Sequence, residues 1–245
     1  MTRVAIVGRG RLGSAVRDAL VDRDVEVVQL SRADGFDVTR PISFEAHGPL
    51  DLVVEATDVF TNDARKATAF FEASTRHIGA AAAAAGIGHL LVSIVGCTAP
   101  ALASNGYYAG KAAQERAFLT GPSKTTLLRT TLWFEFARQN TERLRVGPVA
   151  LVPSMRVKPV ALDAVAEVVA QRCTGLRTFD ELDVSGPGVT TLWEMTKALP
   201  SHGLAVPLLV PGAGGRALRD GTLLPSTTAE IVGPTFESWL AAAPR

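Results

Sequence analysis

Cysteine is scarce: Cys97 and Cys173 are the two in 245 residues, and they lie far apart. They form no CxxC pair and have no metal-ligand spacing to the four histidines, which excludes a disulfide framework and leaves no metal motif. An excess charge of one sign is also missing. Lys and Arg number 25 against 24 Asp and Glu, interleaved, for a formal net charge of +1. Bulk charge therefore gives no support for nucleic-acid binding. Apolar runs long enough for a membrane span, about 18 residues, are absent, and the longest candidate is the alanine run from Ile78 to Ile87. No charged-then-apolar leader precedes Val4-Ala5-Ile6-Val7, which already reads as a strand. These absences point to a soluble protein of a reducing cytoplasm.

Hydrophobic residues make up 47% of the chain, so a sizeable core can be buried. Short β-rich runs alternate with helical patterns. Arg3–Val7, Val25–Leu30, Asp51–Ala56, His89–Val95 and Thr125–Thr130 read as strands. Arg11–Asp22, Ala64–Ala85 and the segment holding Lys111–Leu119 read as helices. Near-continuous apolar strands separated by helices predict a parallel sheet covered on both faces, with ligands beyond the carboxyl ends of its strands. The last hundred or so residues are less regular. Leu162–Arg172, Thr191–Leu199 and Pro234–Ala242 read as helices, Glu181–Val184 as a strand, and the Pro- and Gly-rich Gly203–Gly215 as loop or short strand. The expected organisation is one domain over 1–245, with 131–160 and 185–245 contributing a small substrate-side lobe.

Gly8-Arg9-Gly10-Arg11-Leu12-Gly13 is GxGxxG, placed between a strand and a helix that a second strand follows. That context makes it a dinucleotide-binding fingerprint. Gly8 permits the tight turn, Gly10 admits a pyrophosphate to the backbone, Gly13 lets the helix approach the strand, and the free helix amides face the phosphates. About twenty residues on, where an NAD site carries an acidic residue, the chain reads Leu30-Ser31-Arg32-Ala33. An arginine there suits a 2′-phosphate, and Arg9 or Arg11 adds a second cation. This favours NADP(H) over NAD(H), although Asp34 lies close by.

Tyr107 and Lys111 stand four apart, on one face of a helix, and Ser93 lies on the preceding strand. The trio suits carbonyl reduction. Lys111 holds the nicotinamide ribose and lowers the Tyr107 pKa, Tyr107 moves the proton, and Ser93 bonds the substrate oxygen. Tyr108 competes for the tyrosine's role. Cys97 reads as an apolar filler or a thiol near the nicotinamide. The four histidines show no pairing in sequence, and Trp133, Phe134 and Phe136 are pocket wall or core.

The motifs GRGRLGS (8–14), GFDVT (35–39), SIVG (93–96), GYYAGKAAQE (106–115), LRTTLWFEFA (128–137), VKPVALDAVAEVV (157–169) and GPTFESWL (233–240) together resemble the atypical short-chain dehydrogenase/reductases, in particular the NmrA-like, NAD(P)H-binding branch. The resemblance implies an α/β, Rossmann-type doubly wound parallel sheet with a small C-terminal substrate lobe. It implies adenine contacts from Asp37 and Val38, a dinucleotide lining from Ala56 and Thr57, and a nicotinamide and substrate pocket bordered by Thr131, Trp133 and Phe134. It implies either a reductase of a small carbonyl, quinone or flavin or a non-catalytic NADP(H) sensor. The chain departs from the pattern at Arg9, where a smaller, uncharged residue is usual, and in lacking an evident asparagine for the fourth catalytic position. Epimerase or dehydratase chemistry on a nucleotide sugar uses the same loop and Tyr-Lys pair, but the chain looks short for a sugar-nucleotide lobe.

Overall fold

The computed structural model describes residues 1–242. The chain runs β1 (Thr2–Val7), α1 (Arg11–Leu20), β2 (Val25–Leu30), β3 (Leu52–Glu55), α2 (Ala64–Ala85), β4 (Gly88–Ile94), α3 (Gly106–Leu119) and β5 (Lys124–Thr130). It continues through α4 (Phe136–Arg143), β6 (Arg145–Val146), β7 (Val149–Pro153), β8 (Arg156–Val157), α5 (Leu162–Cys173), β9 (Glu181–Ser185) and β10 (Thr190–Thr191). It closes with α6 (Leu192–Ala198), β11 (Leu204–Leu208), α7 (Gly212–Asp220), β12 (Glu230–Ile231) and α8 (Phe236–Ala242). The central sheet has seven strands in the order β12-β9-β5-β4-β3-β1-β2. β1 pairs in parallel with β2 on one side and β3 on the other, and β3 pairs in parallel with β4. The α/β doubly wound fold expected from the sequence is the one observed.

Two compact units make up the chain. The first holds Met1–Ser93, Ser104–Arg129 and Ala166–Leu182; the second holds Ile94–Ala103, Thr130–Val165 and Asp183–Arg245, of which 243–245 lie outside the described residues.

In the first unit, burial explains the strands. Val4, Ala5, Ile6 and Val7 are at most 1% exposed, so β1 is covered on both faces and tolerates no polar alternation. One face packs Ala5, Val7, Leu30 and Val53 against Ile78 and Ala82 of α2. α1 turns Leu12, Gly13, Val16 and Leu20 inward. α2 starts where the Asp63 carboxylate accepts from the Arg65 and Lys66 amides, and it ends at Gly86 in the left-handed conformation. α3 starts at Asn105, whose side chain accepts from the Tyr108 amide.

In the second unit, β7 lies between β6 and β11 in a three-stranded sheet, and β8 pairs with β10. A capping box between Thr191 and Glu194 opens α6. Phe134 is buried against Phe236 and Trp239, with ring centroids 5.2 and 5.4 Å away. The stretch expected to be loop or short strand, Gly203–Gly215, supplies the short strand β11 and, beyond the expectation, the first turn of α7. Its glycines disguise the helix, yet packing requires one of them: a Cβ at Gly215 would sit 1.9 Å from the Val210 carbonyl oxygen. Among the described residues no helix is long and apolar enough to cross a membrane.

Candidate dinucleotide site

The strand order reverses about β1, whose neighbours are β2 and β3, so a crevice opens beyond the carboxyl ends of β1 and β3. The glycine turn lies in that crevice. Gly8 has φ +124°, and a Cβ there would meet the Ala56 carbonyl oxygen at 2.5 Å. A Cβ at Gly13 would lie 2.1 Å from the Gly8 oxygen, which is how tightly α1 abuts the turn. Gly10 differs: nothing lies within 4 Å of its would-be Cβ. Two glycines are thus required by protein packing and the third borders open space, where an incoming group can reach the backbone. Gly10 caps α1 without a side-chain hydrogen bond, and the first-turn amides of a helix have no carbonyl within it to accept them. A ligand anion can serve.

The open space is a cleft of ≈ 300 Å³. Gly8, Arg9, Gly10, Ser31, Arg32, Val38, Ala56 and Thr57 all line it, together with Phe36 and Phe70. Leu12 and Gly13 are buried behind the turn, and Arg11 is exposed at the start of α1. Asp37 is not among the cleft residues. Its carboxylate accepts from the Thr39 hydroxyl and amide, and these bonds hold its pKa below the usual range.

Asp34, close to the cleft in sequence, has partners of its own. Its carboxylate pairs with Arg9 at 3.0 Å and accepts the Ser31 hydroxyl at 2.8 Å. Arg32 begins the 3-10 turn Arg32–Asp34 and forms no salt bridge among the described residues. The acidic side chain is therefore occupied by its own neighbours, while the Arg32 guanidinium lines the cleft and interacts through its charge with Asp37.

Tyr107 and Lys111 lie one turn apart on α3 and share a neighbour, Phe71. The Tyr107 ring is half-buried and edge-on to Phe71 at 6.2 Å, and the Lys111 ammonium lies 5.1 Å from the centroid of the same ring. Phe60 and Tyr108 complete the aromatic surroundings of Tyr107. Lys111 is 5% exposed. Its ammonium donates to the Val92 carbonyl at 3.3 Å and to the Gln114 side-chain oxygen. Ser93 is buried and donates to Glu115 Oε2 at 2.9 Å. Glu115 in turn binds Arg129 through Nε and Nη2 at 2.8 and 2.6 Å, and Arg129 reaches Glu181 at 2.9 Å. Burial opposes the Arg129 charge, but its bonds to Glu115 and Glu181 outweigh burial and push its pKa further up. The Ser93 proton is thus directed at a fixed carboxylate; toward a substrate the hydroxyl would present lone pairs. In the second unit Thr131 donates to the Lys158 carbonyl at 2.6 Å and Trp133 Nε1 to the Thr130 hydroxyl at 3.3 Å.

A group that the sequence reading passed over lies behind Lys111. Glu55, at the end of β3, is buried, and its carboxylate accepts from Thr57 (3.0 Å), Thr75 (2.7 Å), Gln114 (2.8 Å) and His89 (2.9 Å). His89, which showed no partner in sequence, is therefore paired and buried. Burial alone would raise the Glu55 pKa, but the bonds from His89, Thr75 and Gln114 outweigh it and hold it below the ordinary value. A glutamate inside the apolar run Asp51–Ala56 was the available signal, because a carboxylate in a strand covered on both faces needs partners. Both cysteines are buried, and burial pushes the Cys173 thiol up to about 12. Among the described residues no group of three or more His, Cys, Asp or Glu could hold a metal.

A doubly wound sheet with a glycine turn at its switch point defines the class: a Rossmann-type α/β fold. Solved structures of the same architecture include enzymes of nucleotide-linked sugars. A dTDP-4-dehydrorhamnose reductase from Clostridium acetobutylicum matches with TM-score 0.74 at 14% identity, over 98% of each chain. A dTDP-4-dehydrorhamnose reductase from Bacillus anthracis, solved in complex with NADP, matches with TM-score 0.72 at 16% identity, also over 98% of each chain. A UDP-N-acetylglucosamine 4-epimerase from Bacillus cereus matches with TM-score 0.65 at 14% identity, over 97% of this chain and 93% of that one. At these identities the likeness is one of fold. No protein-family model and no curated protein matches the sequence. The matched lengths overturn one expectation: the chain is not too short for a sugar-nucleotide enzyme, since two such reductases match over 98% of their own length.

Proposed function

We propose that the chain is an NADP(H)-dependent oxidoreductase that acts on a small carbonyl, quinone or related compound by hydride transfer. The observation that carries this reading is the contrast among the three glycines: packing closes Gly8 and Gly13, and Gly10 opens on a cleft at the switch point. The amides at the start of α1 would hold the pyrophosphate, and Arg32 the 2′-phosphate. When bound, the nicotinamide supplies the hydride. Lys111 would hold the ribose, and the Tyr107 hydroxyl would donate its proton to the substrate oxygen as hydride arrives there, the Lys111 charge stabilising the phenolate left behind. Ser93, whose hydroxyl donates to Glu115, would accept from the hydroxyl of the reduced product and would not donate to the carbonyl oxygen.

The test follows NADPH absorbance across carbonyl compounds, quinones and a dTDP-linked 4-keto sugar, with Tyr107→Phe alongside. Turnover that falls at least about a hundredfold in that variant supports Tyr107 as the acid; unchanged turnover removes it from the mechanism. The keto-sugar arm matters because enzymes of nucleotide-linked sugars match this chain nearly end to end, which favours a reductase or epimerase of such a sugar as a second reading. The direction of the Ser93 hydroxyl favours a third, an NmrA-type sensor that binds NADP(H) without turnover. A sensor must bind the oxidised and reduced cofactors with different affinities, so equal affinities would dismiss it.

A further inference from the structure

The Glu55 cluster joins four elements of the first unit: β3 through Glu55 itself, α2 through Thr75, β4 through His89 and α3 through Gln114. Its polarity is fixed by chemistry. An ionised carboxylate only accepts, so the Gln114 amide must turn its NH₂ to Glu55. Its oxygen then has one direction left, toward the Lys111 ammonium, and that contact is present. A continuous line therefore runs from carboxylate to amide to ammonium, and the amide cannot flip without losing both bonds. A second arm leaves Glu55 in the other direction, because the Thr57 hydroxyl donates to it and Thr57 lines the dinucleotide cleft. The Ala56 carbonyl, between them in sequence, is the atom that forbids a Cβ at Gly8.

Simple stability does not call for such a cluster. A buried carboxylate and ammonium are costly to desolvate, and well-packed apolar residues of similar size often serve a core equally well. What the polar arrangement adds is direction. We propose that Glu55 is the positioning residue of the cofactor site: through Gln114 it holds the Lys111 ammonium, the group that the proposed function assigns to the ribose, and through Thr57 it fixes the cleft wall. This rests on the dinucleotide reading above. Gln114 is the intermediary, and His89 and Thr75 hold the carboxylate from behind.

The experiment has two readouts. The first is NADPH affinity, measured by titration calorimetry on the wild type, Gln114→Leu, Lys111→Met and the double variant. If the line acts through Lys111, Gln114→Leu weakens binding about tenfold, and the same change adds nothing once Lys111 is methionine. A purely structural role gives additive losses, or none, and overturns the proposal. The second readout needs no cofactor: acetylation of the Lys111 amine by acetic anhydride across pH, followed by mass spectrometry. Release from Gln114 should speed it several-fold in Gln114→Leu and in Glu55→Gln, relative to wild type. Unchanged labelling in both overturns the proposal. Should the leucine disturb packing, as circular dichroism would show, Gln114→Met takes its place. If the wild type binds neither NADP(H) nor NAD(H), the dinucleotide reading fails; the labelling then still decides whether Glu55 and Gln114 hold the ammonium.

Discussion

Replacing Gly10 and Gly13 by alanine, one at a time, separates a glycine kept for a ligand from a glycine kept for packing. At Gly13 the new methyl would lie 2.1 Å from the Gly8 oxygen and 3.0 Å from its carbonyl carbon, both backbone atoms. α1 or the turn has to shift, and overpacking of this kind costs about 1–3 kcal/mol. For a chain of this size that lowers Tm by about 2–12 °C. At Gly10 the backbone is at φ −73° and ψ −172°, open to any residue, and the methyl enters empty space. Alanine is a poorer N-cap than glycine, but it also reduces the entropy of the unfolded chain. The two effects are each about 1 kcal/mol or less and opposite in sign, so Tm should move by less than about 4 °C. The cofactor tells the two apart. NADPH at a hundred times its Kd stabilises the wild type by about 2.7 kcal/mol, or about 5–11 °C. A methyl that weakens binding tenfold halves this to about 1.4 kcal/mol, or about 3–6 °C, and full exclusion abolishes it. Differential scanning fluorimetry with and without NADPH measures all of these quantities. A Gly10→Ala protein that keeps the wild-type shift, or a Gly13→Ala protein that keeps the wild-type Tm, would refute the assignment of roles.

Arg32→Ala should weaken NADPH binding by at least about tenfold and leave NADH nearly unchanged; equal losses in a calorimetric comparison would show that Arg32 does not read the 2′-phosphate. Because the folded pKa of Glu55 lies below the unfolded reference of 4.5, its contribution to stability is complete above that pH and is lost as pH falls through the folded value. Urea unfolding of wild type and Glu55→Gln from neutral pH down to pH 3 should therefore show the gap between them closing as acid is added, and a gap that widens would contradict the shift. With its thiol pushed up to about 12 and its side chain buried, Cys173 should resist iodoacetamide at pH 8 in the folded protein and react once urea is added. Prompt native labelling, read by mass spectrometry, would show that the site opens.

How much was readable in the amino acids alone depended on whether the signal was local. β2 and α2 fall where the pattern placed them, because apolar runs and helical spacing record burial directly. The glycine turn was legible for the same reason: three glycines at fixed offsets answer to contacts within one strand–turn–helix unit. α7 escaped notice because its opening Gly212-Ala213-Gly214-Gly215 has poor helix propensity, and the requirement for Gly215 comes from a contact with the Val210 carbonyl. The Glu55 cluster was hidden for a different reason. Its members, Glu55, Thr75, His89 and Gln114, are spread over sixty residues (Glu55 and Gln114 are 59 apart), and only the sheet order brings them to one point. Ser93, Tyr107 and Lys111 could be named from spacing, but the direction of the Ser93 hydroxyl depends on Glu115 and Arg129, which no spacing rule connects to it.

The helix that carries Tyr107 and Lys111 has little freedom to slide. A Cβ at Gly110 would lie 2.7 Å from the Phe71 ring and 2.8 Å from the Ala67 Cβ, and one at Gly106 would lie 2.4 Å from the Asn62 carbonyl oxygen. Descendants of this chain that acquire other chemistries should therefore inherit bare positions at 106 and 110 and diversify in the side chains around them. The tyrosine and lysine would stay mounted on the same rail, like a fixed jaw against which the rest of the vice is adjusted.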